Sequence, residues 1–171
     1  NCIETVEAFL ASVAIGAIWS SCSPDFGTKG VVERFSQINP KVLFIVDKYF
    51  YNGKEINVLS RSKEILKNIP SIKHLIVIPY PGTDISNENL NFKQISVLEW
   101  KNILNCEDIH MNFELFEFNH PLAILYSSGT TGKPKCICHR TGGVLLQHIK
   151  ELYLHCDINP NDKIFYFTTC G

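Results

Sequence analysis

A chain of 171 residues is the size of one domain or of part of a larger protein, and it can bury a sizeable core. It is 45% hydrophobic, 19% charged and 11% aromatic, an ordinary globular composition. The formal net charge of −1, with no basic block, argues against a nucleic-acid or anionic-membrane partner, and the longest apolar-rich stretch, residues 6–19, is too short to span a bilayer.

Both ends of the sequence predict a piece of a longer protein. The chain begins without an initiator methionine and runs at once into a helical repeat of apolar residues. It closes on residues 162–171, which we predict to form a strand, although nothing after them supplies a neighbouring strand. No secretory signal is visible.

Helical and extended patterns alternate over the first half of the chain. Apolar spacing and turn residues delimit each element. In chain order we predict a helix ending near Gly16, a turn at 23–27, a helix over 31–38, a strand at 42–46, a hairpin turned by Asn52 and Gly53, a helix over 58–69 and a strand at 74–78. Both strands are continuous apolar runs, which are typical of buried strands in a parallel sheet.

The second half is less regular up to residue 120, where an Asn-rich loop precedes a short helical turn. We then predict a buried strand at 121–126, a polar loop, a strand at 135–139 and a helix opened by Gly142 and Gly143. Because helices and strands alternate throughout, the predicted fold is α/β, a parallel sheet with helices on its faces.

The polar loop after the buried strand carries the strongest chemical signal. The hydroxyls of two serines and two threonines, two glycines and two lysines lie within residues 126–135. Glycines let the backbone approach a ligand, hydroxyls donate to phosphate oxygens, and lysines supply positive charge. We therefore predict a site for a nucleotide triphosphate, with a plain surface turn as the alternative. The candidate binding residues are Ser127, Ser128, Gly129, Thr130, Thr131, Gly132, Lys133, Pro134 and Lys135.

This loop differs from a Walker A loop. A Walker A loop has four residues between its glycines and a Ser or Thr after its lysine. Here two residues separate the glycines, and Pro134 follows Lys133. The phosphate site is therefore predicted to belong to another class of nucleotide-binding protein.

Seven cysteines form an odd, scattered set, which favours free thiols in a reducing compartment, the cytosol. A zinc site is the alternative, because Cys136, Cys138 and His139 are followed by three further possible ligands, His148, His155 and Cys156. Cys-x-Cys fits structural zinc spacing badly. Alternation along a strand instead predicts that Cys136 and Cys138 are buried on one face as small hydrophobes, so we expect no metal site.

Residues 127–135 resemble the phosphate loop of the acyl-adenylate-forming enzymes, which include acyl-CoA synthetases, firefly luciferase and peptide-synthetase adenylation domains. Residues 16–27, 138–148 and 154–157 resemble the acetoacetyl-CoA synthetases among them. Acetyl- and propionyl-CoA synthetases share the loop and the Gly-Gly helix start, but usually lack Trp-Ser-Ser and Ser-Pro-Asp-Phe-Gly. The resemblance covers nearly the whole chain and weakens between residues 47 and 120.

The resemblance implies an AMP-forming ligase that uses ATP, Mg²⁺, coenzyme A and acetoacetate. It makes residues 1–171 part of the large N-terminal AMP-binding domain, with the small C-terminal domain absent. Hydroxyls and backbone N–H groups of the loop would hold the β- and γ-phosphates, and Lys133 and Lys135 would order on nucleotide binding. The main catalytic residues would lie beyond residue 171, so the piece alone is expected to be inactive. A ligase for acetate or propionate, and a non-catalytic nucleotide-binding or zinc-stabilised module, remain open.

Other residues are interpreted structurally. Lys54 lies where acetyl-CoA synthetases carry arginines that contact coenzyme A, but an ordinary hairpin lysine is favoured. His139 and Arg140 are expected to shape the start of the helix that follows them. Trp19 and Trp100 are expected in the core. The sequence indicates no oligomeric state.

Overall fold

The computed structural model describes residues 1–86, 90–105, 113–127 and 132–170. The chain forms two compact units. Asn1–Ser23 and Met111–Gly171 make up the first, and Pro24–His110 the second.

The helices and strands follow the predicted order, except that two short strands, at 19–20 and 96–99, were not predicted and the predicted strand at 162–171 does not form over its described residues. The helices are α1 (Ile3–Ala14), α2 (Gly27–Phe35), α3 (Ser62–Asn68), α4 (Trp100–Leu104) and α5 (Thr141–Ile149), with 3₁₀ turns at Pro24–Phe26 and Leu59–Arg61 and a π-helical segment at Lys150–His155. The strands are β1 (Trp19–Ser20), β2 (Val42–Val46), β3 (Lys48–Tyr51), β4 (Lys54–Asn57), β5 (His74–Ile78), β6 (Ser96–Glu99), β7 (Pro121–Ser127) and β8 (Lys135–Arg140). No helix in the described ranges combines the length and the apolar character needed to cross a membrane.

The second unit is built on a parallel sheet of order β2-β5-β6. The central strand β5 is the most deeply buried, with Leu75 and Val77 fully inaccessible, as its apolar run predicts. The antiparallel hairpin of β3 and β4 turns at Asn52 and Gly53, whose φ angles of 49° and 72° are both positive. Positive φ at both central positions is the geometry that Asn-Gly favours, so the predicted hairpin is confirmed.

The first unit has a sheet of order β1-β7-β8. β1 runs parallel to β7, whereas β8 runs antiparallel to it. A parallel return needs a crossover of a dozen or more residues, and residues 128–134 are too few for one. The α/β fold and its parallel pairs are therefore confirmed, and the antiparallel β7–β8 pair is the departure from an all-parallel sheet.

A short segment before β7 ties the two sequence-distant parts of this unit together. The His120 Nε2 lies 2.9 Å from the Gly16 carbonyl oxygen, and the His120 ring stacks on Phe116 with 4.4 Å between centroids. The His120 carbonyl accepts the backbone N–H and the hydroxyl of Thr141 at 2.9 and 3.0 Å. The end of α1, the start of β7 and the start of α5 are thus joined at one point.

Two expectations are wrong. Of the strand predicted over 162–171, residues 162–170 form neither helix nor strand, and among the described residues no strand lies beside them. Asn1 contacts their backbone, donating to the Thr168 carbonyl at 2.7 Å and accepting from the Cys170 N–H at 2.8 Å. Cys136 and Cys138 are exposed, since β8 is the last strand of its sheet and every side chain from 135 to 138 faces solvent.

Candidate functional site

The candidate phosphate loop joins the two antiparallel strands of the first unit. Ser127 is the last residue of β7 and Lys135 the first of β8, and the two are cross-strand partners. Ser128, Gly129, Thr130 and Thr131 lie outside the described residues. The structure therefore brings the two ends of the predicted loop together, as a loop that closes around a ligand requires.

Strand alternation divides the side chains at the ends of the loop between two faces. Ser127 and Lys135 share one face, while Tyr126 and Cys136 share the other, because neighbouring residues of a strand point in opposite directions. Ser127 is half-buried and Lys135 is exposed. One face thus carries a hydroxyl and a primary amine directly opposite each other.

The backbone conformation at position 132 requires a glycine. Its φ of +120° lies in the region that side chains rarely adopt, whereas a Cβ built there would meet no atom within 4 Å. The described surroundings therefore leave room for a side chain, and the turn geometry alone selects glycine. Gly132, one of the two predicted glycines of the loop, therefore serves to reverse the chain as the loop enters β8.

The two lysines of the loop are available to an anion. Lys133 and Lys135 are both exposed, and in the ranges that the structure describes neither forms an ion pair. Pro134 between them is half-buried. Because proline fixes φ near −65°, it stiffens the chain that separates the two charges.

The loop also lies at the carboxyl end of a parallel strand pair. β1 pairs with β7 so that Trp19 faces Ala123 and Ser20 faces Ile124, and both strands end on the same edge of the sheet. In open α/β sheets ligands bind outside the carboxyl ends of the strands. The described geometry thus agrees with a ligand site at residues 127–135.

Comparison with known proteins decides which family this is. The family model described as "AMP-binding enzyme" matches residues 1–170. The chain belongs to the AMP-binding enzyme family. The predicted resemblance to adenylate-forming enzymes is thereby confirmed.

Relatives within the family are more specific. The chain is 46% identical over 181 residues to acetoacetyl-CoA synthetase of Gallus gallus, with 100% of this chain and 26% of that protein covered. It is 43% identical over 171 residues to acetoacetyl-coenzyme A synthetase of Rhizobium meliloti (strain 1021), again with 100% and 26% covered. A solved structure of acetoacetyl-CoA synthetase from Streptomyces lividans matches with a TM-score of 0.89 and 41% identity, covering 100% of this chain and 25% of that one. The chain therefore spans about a quarter of the length of the relatives it matches.

The remaining candidate residues behave as structural residues. Trp19 packs edge-to-face on Phe9 at 5.7 Å, and Trp100 packs on Phe44 at 6.2 Å, so both tryptophans serve packing. Arg140 is the N-cap residue of α5 in extended conformation, with no side-chain cap bond in the described structure.

Lys54 begins β4 beside the hairpin turn and is exposed. The ion pair of this hairpin is formed instead by Lys48 and Glu55, at 3.0 Å. In the same unit a cavity of about 110 Å³ adjoins this ion pair and the buried Asp47. Asp47 accepts the backbone N–H of Tyr80 at 2.5 Å, whereas Lys48 and Glu55 bind each other.

No cluster of three or more His, Cys, Asp or Glu side chains suited to a metal ion occurs in the described part of the chain. Nor does a disulfide join the cysteines described there.

One residue near the site escaped sequence reasoning. Ser20 contacts both Ile124 and Tyr126, which lie 104 and 106 positions away along the chain. The end of a helix near Gly16 and a run of serines after it were visible in the sequence. What was not visible is that this short run pairs with the strand that leads into the loop.

Proposed function

We propose that the protein to which this chain belongs is an acetoacetate–CoA ligase. An acetoacetate carboxylate oxygen attacks the α-phosphorus of ATP, and the bond to the β-phosphate oxygen breaks, releasing pyrophosphate. The thiol of coenzyme A then loses its proton and attacks the acyl carbonyl carbon, and the bond to AMP breaks. The observation that carries the proposal is the likeness over the entire chain to proteins named acetoacetyl-CoA synthetase, at 41–46% identity for several of them.

In this proposal the loop holds the pyrophosphate leaving group. Negative charge grows on the β- and γ-phosphates as the bond to the α-phosphate breaks, and prepositioned donors stabilise it. Ser127, Ser128, Thr130 and Thr131 supply hydroxyl or backbone N–H donors, and Gly129 and Gly132 shape the loop. Lys133 and Lys135 supply positive charge. Their exposure and their lack of ion pairs among the described residues support this role.

The chain is proposed to be one part of the large AMP-binding domain, with the small C-terminal domain supplied by sequence outside it. Mg²⁺ enters the proposal only as the counter-ion of ATP. Hard divalent cations prefer carboxylate oxygens, and the described residues next to the loop are hydroxyls and lysines, which offer no carboxylate for it. The cytosol is the proposed location, supported by the absence of disulfides among the described cysteines.

The test uses the full-length protein with a panel of short acids. We expect acetoacetate to drive ATP–pyrophosphate exchange and thioester formation more efficiently, by kcat/KM, than acetate or propionate does. Faster reaction with acetate or propionate would refute the acetoacetate assignment. Absence of exchange with every acid would refute ligase activity. The 171-residue chain alone is expected to catalyse no exchange.

The loop is tested in the same protein by Lys135→Met. Hydrogen bonds to charged groups contribute about 1.5–3 kcal/mol, and each 1.4 kcal/mol is a factor of ten. Because Lys135 is exposed, we expect the low end of that range, about a tenfold rise in the KM for ATP, with Lys135→Arg retaining most of the affinity. Thr131→Ala is likewise expected to depress exchange.

The control is Lys93→Met, which removes an exposed lysine from the other unit and should leave the KM for ATP unchanged. An equal effect of Lys93→Met and Lys135→Met would show that only overall charge matters. Unchanged exchange in both Lys135→Met and Thr131→Ala would remove the loop from the mechanism.

A further inference from the structure

Ser20 is linked by two hydrogen bonds to the strand that leads into the loop. It lies on the two-residue strand β1, opposite Ile124 of β7. Its hydroxyl donates to the Ile124 carbonyl oxygen at 2.7 Å. The same oxygen lies 3.1 Å from the hydroxyl oxygen of Tyr126. A single side chain thus touches both residues that share its face of β7.

The direction of these bonds follows from the number of protons. A serine hydroxyl has one proton to donate and two lone pairs to accept with. The shorter bond, to the Ile124 carbonyl, uses that proton. The same proton is directed at the Tyr126 hydroxyl oxygen at 3.1 Å, so the two acceptors share it in a three-centre bond. Ser20 thus links the Ile124 carbonyl oxygen to the Tyr126 hydroxyl oxygen.

Ser20 is itself held in place by its neighbour. Trp19 packs edge-to-face against Phe9 of α1, with 5.7 Å between ring centroids. A two-residue strand has little pairing of its own, so this aromatic contact anchors β1 against α1. The serine oxygen is consequently a fixed point to which the side chain of Tyr126 is tied.

Tyr126 immediately precedes the first residue of the loop. Because strand side chains alternate, the face that Tyr126 occupies determines the face on which Ser127 lies, opposite Lys135. A slip of one residue would send Ser127 to the other side of the sheet. Holding the Tyr126 side chain in place therefore supports the backbone register that puts Ser127 opposite Lys135.

We propose that Ser20 is a positioning residue for ATP, acting through Tyr126 to preorganise the start of the phosphate loop. The proposal rests on the function proposed above. Ser20 lies on the face of β7 opposite to Ser127, and it acts through the hydrogen bonds to Tyr126 and Ile124. The phosphates of ATP are already charged when ATP binds, and donors that are already oriented lose little conformational freedom in binding them. Loosening the support of these donors therefore weakens ATP binding.

The experiment measures the Kd of ATP by calorimetry on the full-length protein, without any acid substrate. A neutral hydrogen bond contributes about 0.5–1.5 kcal/mol, so Ser20→Ala and Tyr126→Phe are each expected to weaken ATP binding about three- to tenfold. Because both remove the same link, the double variant should bind no more weakly than the weaker single one. Ser20→Thr keeps the hydroxyl and should stay within twofold of the parent.

The matched control is Ser21→Ala, since the next serine along the chain makes neither of these bonds. A purely structural role predicts a lower Tm for Ser20→Ala with an unchanged Kd, and that result overturns the proposal, as do additive effects in the double variant. If Ser20→Ala does not fold, Tyr126→Phe removes only a hydroxyl group, and an unchanged Kd in that variant also overturns it. If the parent protein binds ATP but shows no acetoacetate-dependent exchange, that result refutes only the assignment of acetoacetate as the acid substrate.

Discussion

The start of α5 offers a direct test of how the first unit is packed. Gly142 is buried, and its backbone N–H donates to the Phe118 carbonyl at 2.9 Å. A Cβ at position 142 would lie 2.2 Å from Cδ2 and 2.5 Å from Cγ of Phe118. Gly143 is its natural control, since a Cβ there meets no atom within 4 Å. Both glycines occupy the first turn of the same helix.

The two substitutions are expected to change the stability of the protein in opposite directions. Alanine is favoured over glycine in a helix by about 0.5–1 kcal/mol, so Gly143→Ala is expected to stabilise by that amount. Gly142→Ala makes the same gain, but carbon atoms need about 3.5–4.0 Å and the ring must move by more than 1 Å. Overpacking of this kind costs about 1–3 kcal/mol. The Phe118 side chain is 58% exposed and can swing outward, so we expect the lower part of that range and a small net loss of stability.

The assay is thermal unfolding of the full-length protein carrying each alanine. For a domain of about 150–250 residues, 1 kcal/mol corresponds to a shift of about 2–4 °C in Tm, and the shift is smaller where a larger protein unfolds as one unit. We expect Gly143→Ala to unfold at or above the parent and Gly142→Ala to unfold below Gly143→Ala. Adding Phe118→Ala should abolish the penalty, so that Gly142→Ala becomes neutral or stabilising in that background. Equal Tm values for the two single variants would refute the reasoning.

Two further changes test backbone and hydroxyl roles. Gly16 and Gly53 have nearly the same backbone conformation, with φ of +73° and +72°, but only a Cβ at position 16 would lie 2.2 Å from a ring, that of Phe116. We therefore expect a larger drop in Tm for Gly16→Ala than for Gly53→Ala. An equal drop would show that the φ angle alone matters. The Tyr49 hydroxyl donates to the Asp25 carboxylate at 2.5 Å, and this bond raises the pKa of Tyr49 above 10.0, with burial adding to the shift. Because the pKa of Tyr49 is higher in the folded than in the unfolded protein, the bond stabilises the fold fully below pH 10, and this stabilisation is lost as the pH rises through the folded-state pKa. The Tm difference between the parent and Tyr49→Phe should therefore shrink as the pH rises past 10. A constant difference would contradict the assignment.

Local sequence patterns predicted the elements whose conformation is determined by their own residues. The hairpin of β3 and β4 was predictable because Asn52 and Gly53 both tolerate positive φ. Strand β5 was predictable because an apolar run such as residues 74–78 is stable only when it is buried. In each case the residues that decide the structure lie next to the structure that they decide.

Strand pairing and side-chain burial depend on residues that are distant in the sequence, so local patterns predict them less well. Alternation along residues 135–139 correctly predicts a strand, but whether Cys136 and Cys138 are buried depends on what covers β8. The same holds for residues 163–170, whose apolar side chains favour a strand that no described neighbour pairs with. Propensity selects a conformation only where a partner is present to satisfy the backbone.

The phosphate loop combines both situations. Its residue types predict phosphate binding, because hydroxyls, glycines and lysines can all recognise phosphate. The residue proposed to orient the start of the loop, Ser20, lies more than a hundred residues away and contacts Tyr126 only because β1 and β7 are parallel neighbours. A motif can therefore indicate a ligand class, while the residue that orients it becomes visible only once strand pairing is known. Sequence reasoning missed Ser20 for this reason, and the same reason makes the Ser20→Ala and Tyr126→Phe pair the sharpest test of the site.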